Sequence, residues 1–285
     1  MNYKMMGRFI AQILLLEGLF MLPATFISLH CGESRSVTAF TVTMVLLLLV
    51  FVVLRLLCRG AKSNFYATDG MVCVALSWII LSLTGCLPFV FSGAIPRFID
   101  ALFEIVSGFT TTGASILPAV ENLPKGMIYW RSFSHWVGGM GVLVFLLAVA
   151  PSGDRGKGFT MHLLRAESPG PSVGKLVPKM RKTAAILYVL YIFLTVANVI
   201  FLLIGGMPAF EAVCNAFGTA GTGGFGVRND SFASYSPYLQ NVTTVFMFLF
   251  GVNFSCYYLL LLGQVRNSRM KSSVHILASP FAALF

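Results

Sequence analysis

Long apolar runs alternate with short polar breaks along this 285-residue chain. With about 20 apolar residues needed per membrane-spanning helix, the runs near 9–29, 37–57, 70–91, 128–150, 183–204 and 238–262 predict six crossings. The stretch 98–115, FIDALFEIVSGFTTTGAS, is different: it is hydrophobic, yet too short and too interrupted to cross a bilayer. Residues 98–109 read as a helix, and the three threonines and glycine that follow are where a helix loses stability. Non-helical backbone at membrane depth is tolerated only where it lines a cavity or binds something in place of water. The pattern therefore predicts a re-entrant half-helix that enters and stops.

A second copy strengthens that reading. Sliding the chain by 111 positions lays Ile99, Asp100, Ala101 and Leu102 on Phe210, Glu211, Ala212 and Val213, and carries Thr111, Thr112 and Gly113 onto Thr222, Gly223 and Gly224. Each copy follows a long apolar segment and a proline, Pro96 or Pro208, and precedes another apolar segment. The expected architecture is an all-α integral membrane bundle built from units of membrane helix, half-helix, pore loop and membrane helix. Successive carbonyls at such a loop can replace the hydration shell of a potassium ion, and the half-helix aims its partly negative C-terminal end at the ion. The candidate ion-binding residues are Thr110, Thr111, Thr112 and Gly113 in the first copy and Gly221, Thr222, Gly223 and Gly224 in the second.

The chain resembles the membrane subunit of Trk/Ktr-type bacterial potassium transporters, in the TrkH-like branch. The resemblance rests on GFTTTGAS at 108–115, RSFSHWVGGMGVLVF at 131–145, RAESPGP at 165–171, TGGFG at 222–226 and GVNFSCYYLLL at 251–261. It implies potassium translocation by a non-enzymatic, multi-pass protein of the bacterial inner membrane, with potassium as substrate and no covalent cofactor. It also implies cytoplasmic nucleotide-binding regulatory subunits as partners. The family arranges four such repeats around one pore, and this chain has two. The expectation is thus a half-pore completed by a second copy in a homodimer or by a missing C-terminal half, or else a truncated, non-conducting chain with a regulatory or assembly role.

Composition fits this class: 57% of residues are hydrophobic, 11% are charged and the mean hydropathy is +0.83. The net charge of +10 would suit nucleic acid, but its distribution excludes that partner. Fifteen of the 20 basic residues, among them Lys4, Arg8, Arg55, Arg59, Lys62 and seven between Arg155 and Lys182, fall on one side of the expected topology. The positive-inside tendency makes that side, and the N-terminus, cytoplasmic. The boundaries expected are 1–62 for an N-terminal helix pair, 63–150 for the first pore repeat and 151–182 for a cytoplasmic linker held at lipid headgroups. The second pore repeat then covers 183–263 and a tail 264–285. The acids Glu33, Asp100, Glu104, Glu121, Glu211 and Asp230 lie on or near the outer side, mostly solvated, with Asp100 and Glu211 suited to stabilise helix N-termini.

Other chemistry is sparse. The cysteines at 31, 58, 73, 86, 214 and 256 have no metal-ligand spacing and read as small core residues. The glycine-rich run 218–224 lacks the preceding strand and the lysine of a phosphate loop. No Ser–His pattern suggests a membrane hydrolase. His135 is expected to begin a membrane helix at the outer face in a hydrogen-bonded packing role. Gly138, Gly139 and Gly141 mark a helix that passes closely behind a pore loop. Glu17 is an intramembrane carboxyl, a functional suspect outside the repeats.

Overall fold

The computed structural model describes residues 3–60, 67–141, 180–254 and 256–257. Most of the 151–182 linker, the distal part of the 128–150 run, the end of the 238–262 run and the 264–285 tail lie outside them. Within them the chain forms helices α1 (Tyr3–Phe20), α2 (Leu22–His30), α3 (Ser34–Leu57), α4 (Ala67–Gly85), α5 (Leu87–Ser92) and α6 (Phe98–Phe109). A 3-10 turn (Val120–Asn122) leads to α7 (Lys125–Met140), α8 (Met180–Ile204), α9 (Ala209–Ala220) and α10 (Pro237–Gly251). There is no strand among the described residues.

Four stretches are long and apolar enough to cross a membrane: Tyr3–His30, Ser34–Leu57, Asp69–Ser92 and Ala185–Ile204. They coincide with four of the six runs expected from the sequence. Two of these crossings are broken near a proline. Pro23 lies just after the break at Met21 between α1 and α2, and Pro88 just after that at Cys86 between α4 and α5. Proline has no N–H to donate and its ring crowds the carbonyl four residues back, so an α-helix cannot continue undisturbed. At the second break Phe89 N–H turns to Cys86 O, and the Gly85 carbonyl it would otherwise meet accepts a hydrogen bond from Trp130 Nε1 at 2.9 Å.

The lipid-facing and protein-facing sides separate cleanly on α3. Ala39, Phe40, Thr43 and Leu47 are buried at helical spacing, while Val45, Leu48, Leu49, Val52 and Val53 are exposed, as suits a hydrocarbon solvent. Helix α7 lies at the centre, against α2, α6 and α9. Its residues Met127, Ile128, Trp130, Arg131, Ser132, Phe133, Ser134 and His135 are all buried. Around it Phe133 stacks on Tyr129 and Trp136, with ring centroids 5.7 and 5.5 Å apart, and meets Phe217 of α9 edge-on at 5.5 Å. Such aromatic pairs contribute about 0.5–1.5 kcal/mol each beyond area burial, so α7 is a stiff post against which both half-helices rest.

The post needs a capped start, and its cap comes from far away in sequence. Pro124 precedes the helix and makes no side-chain cap. Glu33, in the turn between α2 and α3, instead accepts from the amides of Lys125 at 2.6 Å and Gly126 at 3.2 Å. A carboxylate on the first N–H groups of a helix satisfies orphan donors and complements the helix dipole. Glu33 is therefore a structural cap rather than a solvated charge.

Candidate ion-binding site

Helices α6 and α9 are the two half-helices, each 12 residues long, and both end in the same backbone conformation. Thr110 and Gly221 close the two helices with φ of −86° and −75°. The next residues, Thr111 and Thr222, adopt φ of 54° and 58°, and Gly113 and Gly224 adopt 76° and 78°. The left-handed positions recur at the 111-residue offset read from the sequence, with Thr112 and Gly223 between them outside that region. A β-branched residue at positive φ is an outlier, and each costs on the order of 1–3 kcal/mol. Finding two at equivalent positions marks a conformation that both copies impose.

The amides of these loops point back into the protein. Thr110 N–H donates to Val106 O at 2.8 Å, Thr111 to Gly108 O at 3.0 Å and Thr112 to Ser107 O at 3.0 Å. In the second copy Gly221, Thr222 and Gly224 donate to Phe217, Thr219 and Gly218. The carbonyl oxygens of residues 110–113 and 221–224 accept from no donor among the described residues. The Thr110 and Thr112 side chains are exposed, with their hydroxyls 2.8 Å apart.

Glycines bring the two loops and the post together. A Cβ built on Gly113 would lie 1.9 Å from the Gly223 carbonyl oxygen, so the two loops touch through backbone. One on Gly138 of α7 would sit 2.4 Å from Phe109 O, and one on Gly139 would sit 3.0 Å from Ala220 O. Adjacent glycines thus let one helix press against the ends of both half-helices, the close passage that the Gly138–Gly139 pair suggested.

Several expectations need correcting. His135 does not begin α7, which starts at Lys125. It lies in the third turn, directly behind the second loop, where a Cβ on Gly221 or Gly223 would come within 2.2 or 2.1 Å of its ring. It packs on Phe225 at 4.6 Å between centroids, and neither ring nitrogen has a hydrogen-bond partner among the described residues. Asp100 and Glu211 do sit in the first turns of their helices, where an acid complements the helix dipole, though without a hydrogen bond to a first-turn amide. Asp100 lies 3.7 Å from Arg97, and Glu211 binds Arg228 at 3.2 Å and the Tyr235 hydroxyl. Glu121 is not simply solvated either: it accepts from Asn229 N–H at 2.7 Å, while the Asn229 side chain binds Val120 N–H and Pro118 O, joining the two outer loops. Glu17 is buried in α1 and accepts from Thr84 at 2.6 Å. Five cysteines are buried and Cys31 is exposed.

Charge counting missed one pair entirely. Glu104 of α6 and Arg131 of α7 are both buried, and they form an ion pair at 2.5 Å. The signal available was an acid and a base, each set inside an apolar stretch.

Two half-helices packed among apolar helices long enough to cross a membrane, each continued by a loop of strained backbone with unshared carbonyls and backed by one buried helix, define a helical membrane protein of the re-entrant pore-loop class. The chain belongs to the TrkH family, described as cation transport protein, which it matches over residues 36–279. It is 34% identical over 269 residues to the Trk system potassium uptake protein TrkH of Salmonella typhimurium, covering 93% of this chain and 54% of that one. It is 32% identical over 249 residues to the potassium uptake protein TrkG of Escherichia coli, covering 86% and 50%. The crystal structure of the potassium transporter TrkH from Vibrio parahaemolyticus superposes with a TM-score of 0.76 at 29% identity, covering 90% of this chain and 52% of that one. The chain spans about half the length of the curated relatives it matches.

Proposed function

We propose that this chain takes part in potassium translocation across the bacterial inner membrane and supplies two filter segments, residues 110–113 and 221–224. The observation that carries the reading is the matched backbone register: left-handed residues at Thr111 and Gly113 recur at Thr222 and Gly224, beside carbonyls with no described donor. Amides held by the half-helices leave the carbonyls free for a cation, and a dehydrated potassium ion is stabilised by such oxygens in place of water. The C-terminal ends of α6 and α9 add partial negative charge at the same place. Potassium as the ion follows the names of the relatives.

In this reading 63–150 and 183–263 are the two pore repeats, preceded by the 1–62 helix pair. The 151–182 linker and the N-terminus face the cytoplasm, where nucleotide-binding regulatory subunits dock. Translocation needs no enzymatic step and no covalent cofactor. Gly113 packs on the next loop through Gly223, whereas a Cβ on Gly224 would meet nothing within 4 Å among the described residues. That difference favours a ring that continues past the second segment, into further repeats or a second copy. The test is growth of a potassium-uptake-deficient bacterium on low-potassium medium with the native gene product carrying this chain as sole transporter. Growth is expected, and failure to grow despite normal amounts in the membrane would overturn the proposal.

A further inference from the structure

We propose that Arg131 and Glu104 act as one tie between the two loops, fixing the spacing of the segments that follow residues 113 and 224 and so determining ion specificity. The inference rests on reading those loops as filters, and concerns what holds them in register.

Glu104 collects the first segment. Its carboxylate accepts from Ser115 Oγ at 2.9 and 3.1 Å, from Ile116 N–H at 3.0 Å and from Arg131 Nε at 2.5 Å. Arg131 collects the second: its Nη1 donates to Gly226 O at 3.0 Å and its guanidinium lies 3.7 Å from the centroid of the Phe225 ring. One planar, five-donor group on the central post thereby reaches Gly226, 95 residues away in sequence, and, through Glu104, the exit of the other loop.

The chemistry favours a positioning role. A buried ion pair is weak ground for stability, since well-packed apolar residues of similar volume often do as well, but it fixes geometry. Here pairing also neutralises the arginine, which would otherwise repel a cation at the adjacent loops. The tie is not duplicated. At the 111-residue offset Glu104 becomes Asn215, and α10 carries no charged residue. The Asn229 contacts with Pro118, Val120 and Glu121 join the same two segments farther from the half-helix ends, but Arg131–Glu104 is the charged bridge nearest residues 113 and 224 and the second repeat has no copy of it.

The diagnostic substitution is Arg131→Lys in the native gene product. Lysine keeps the charge beside Glu104 but loses the planar fork that reaches Gly226 and stacks on Phe225. Rubidium-over-sodium uptake is expected to fall at least about tenfold, a difference of about 1.4 kcal/mol in transition free energy, with the amount of protein in the membrane unchanged. A purely structural role would lower that amount, and with it the maximal rate, without moving the ratio. Should Arg131→Lys fail to accumulate, Glu104→Gln, which keeps an acceptor for Ser115 and Ile116 but removes the charge, is read for the same ratio. A wild-type ratio in the accumulating variant overturns the tie. Gly113→Ser is run in parallel: if it shifts the ratio and Arg131→Lys does not, the tie alone fails, and if neither shifts it, the filter reading fails.

Discussion

Replacing Gly113 by serine loads the candidate filter with two separable penalties. Gly113 has φ of 76°, in the left-handed region, where a residue with a Cβ is disfavoured by about 1–2 kcal/mol. The new Cβ would lie 1.9 Å from the Gly223 carbonyl oxygen and 2.6 Å from its carbon, and both are backbone atoms with no rotamer by which to escape. Opening that gap to even 3.0 Å requires a shift of the opposing loop by about an ångström, and overpacking of that kind costs about 1–3 kcal/mol. The total is about 2–5 kcal/mol, against about 1.4 kcal/mol for each tenfold in discrimination. Because the displaced atom is itself a candidate ligand, the penalty is expected in selectivity before fold. Gly93→Ser is the control: its φ of 74° imposes the same strain, but its Cβ would meet nothing within 4 Å among the described residues. The assay is uptake of radiolabelled rubidium and sodium by cells carrying equal amounts of each variant in the membrane. Gly113→Ser is expected to lower the rubidium-over-sodium ratio at least about tenfold, and Gly93→Ser to leave it unchanged. A wild-type ratio in Gly113→Ser, or equal effects of the two variants, would refute the reasoning.

Three further outcomes are expected. Glu33→Ala removes the only side-chain acceptor on the first amides of α7 among the described residues, so the thermal midpoint in detergent should fall in line with the about 0.5–2 kcal/mol of a lost helix cap; an unchanged midpoint counts against the capping role. The 285-residue chain expressed by itself should not support growth on low potassium, because two segments leave the carbonyl ring open; robust growth together with a cross-linked species of twice the monomer mass would point to a pore made from two copies. A cysteine placed at Lys157, which lies outside the described residues, should resist an impermeant reagent in intact cells, and its labelling would reverse the topology derived from the charge distribution.

Much of this architecture was legible because the membrane restricts what a sequence can do. Backbone that stops being helical inside an apolar stretch has few permitted explanations, so residues 98–109 followed by TTTG identified a half-helix, and the repeat at 111 positions identified its partner. The glycines at 113 and 224 could be read as left-handed positions, because glycine reaches them without a steric penalty. Thr111 and Thr222 could not: threonine disfavours that region, and only the packed half-helix behind each loop holds it there. The start of α7 lies slightly before the apolar run at 128–150, because Lys125 and Gly126 look like loop until Glu33 caps them from 92 and 93 positions away. Charge pattern alone puts Glu104 and Arg131 among the outer-side charges, and their pairing depends on α6 and α7 crossing, which no local pattern encodes.

The most direct test of the central claim is crystallographic. Crystals of the native gene product grown or soaked in rubidium, in place of potassium, should show anomalous density at bonding distance from the carbonyl oxygens of residues 110–113 and 221–224. Rubidium density elsewhere in the membrane layer, with none beside these two loops, would contradict the account.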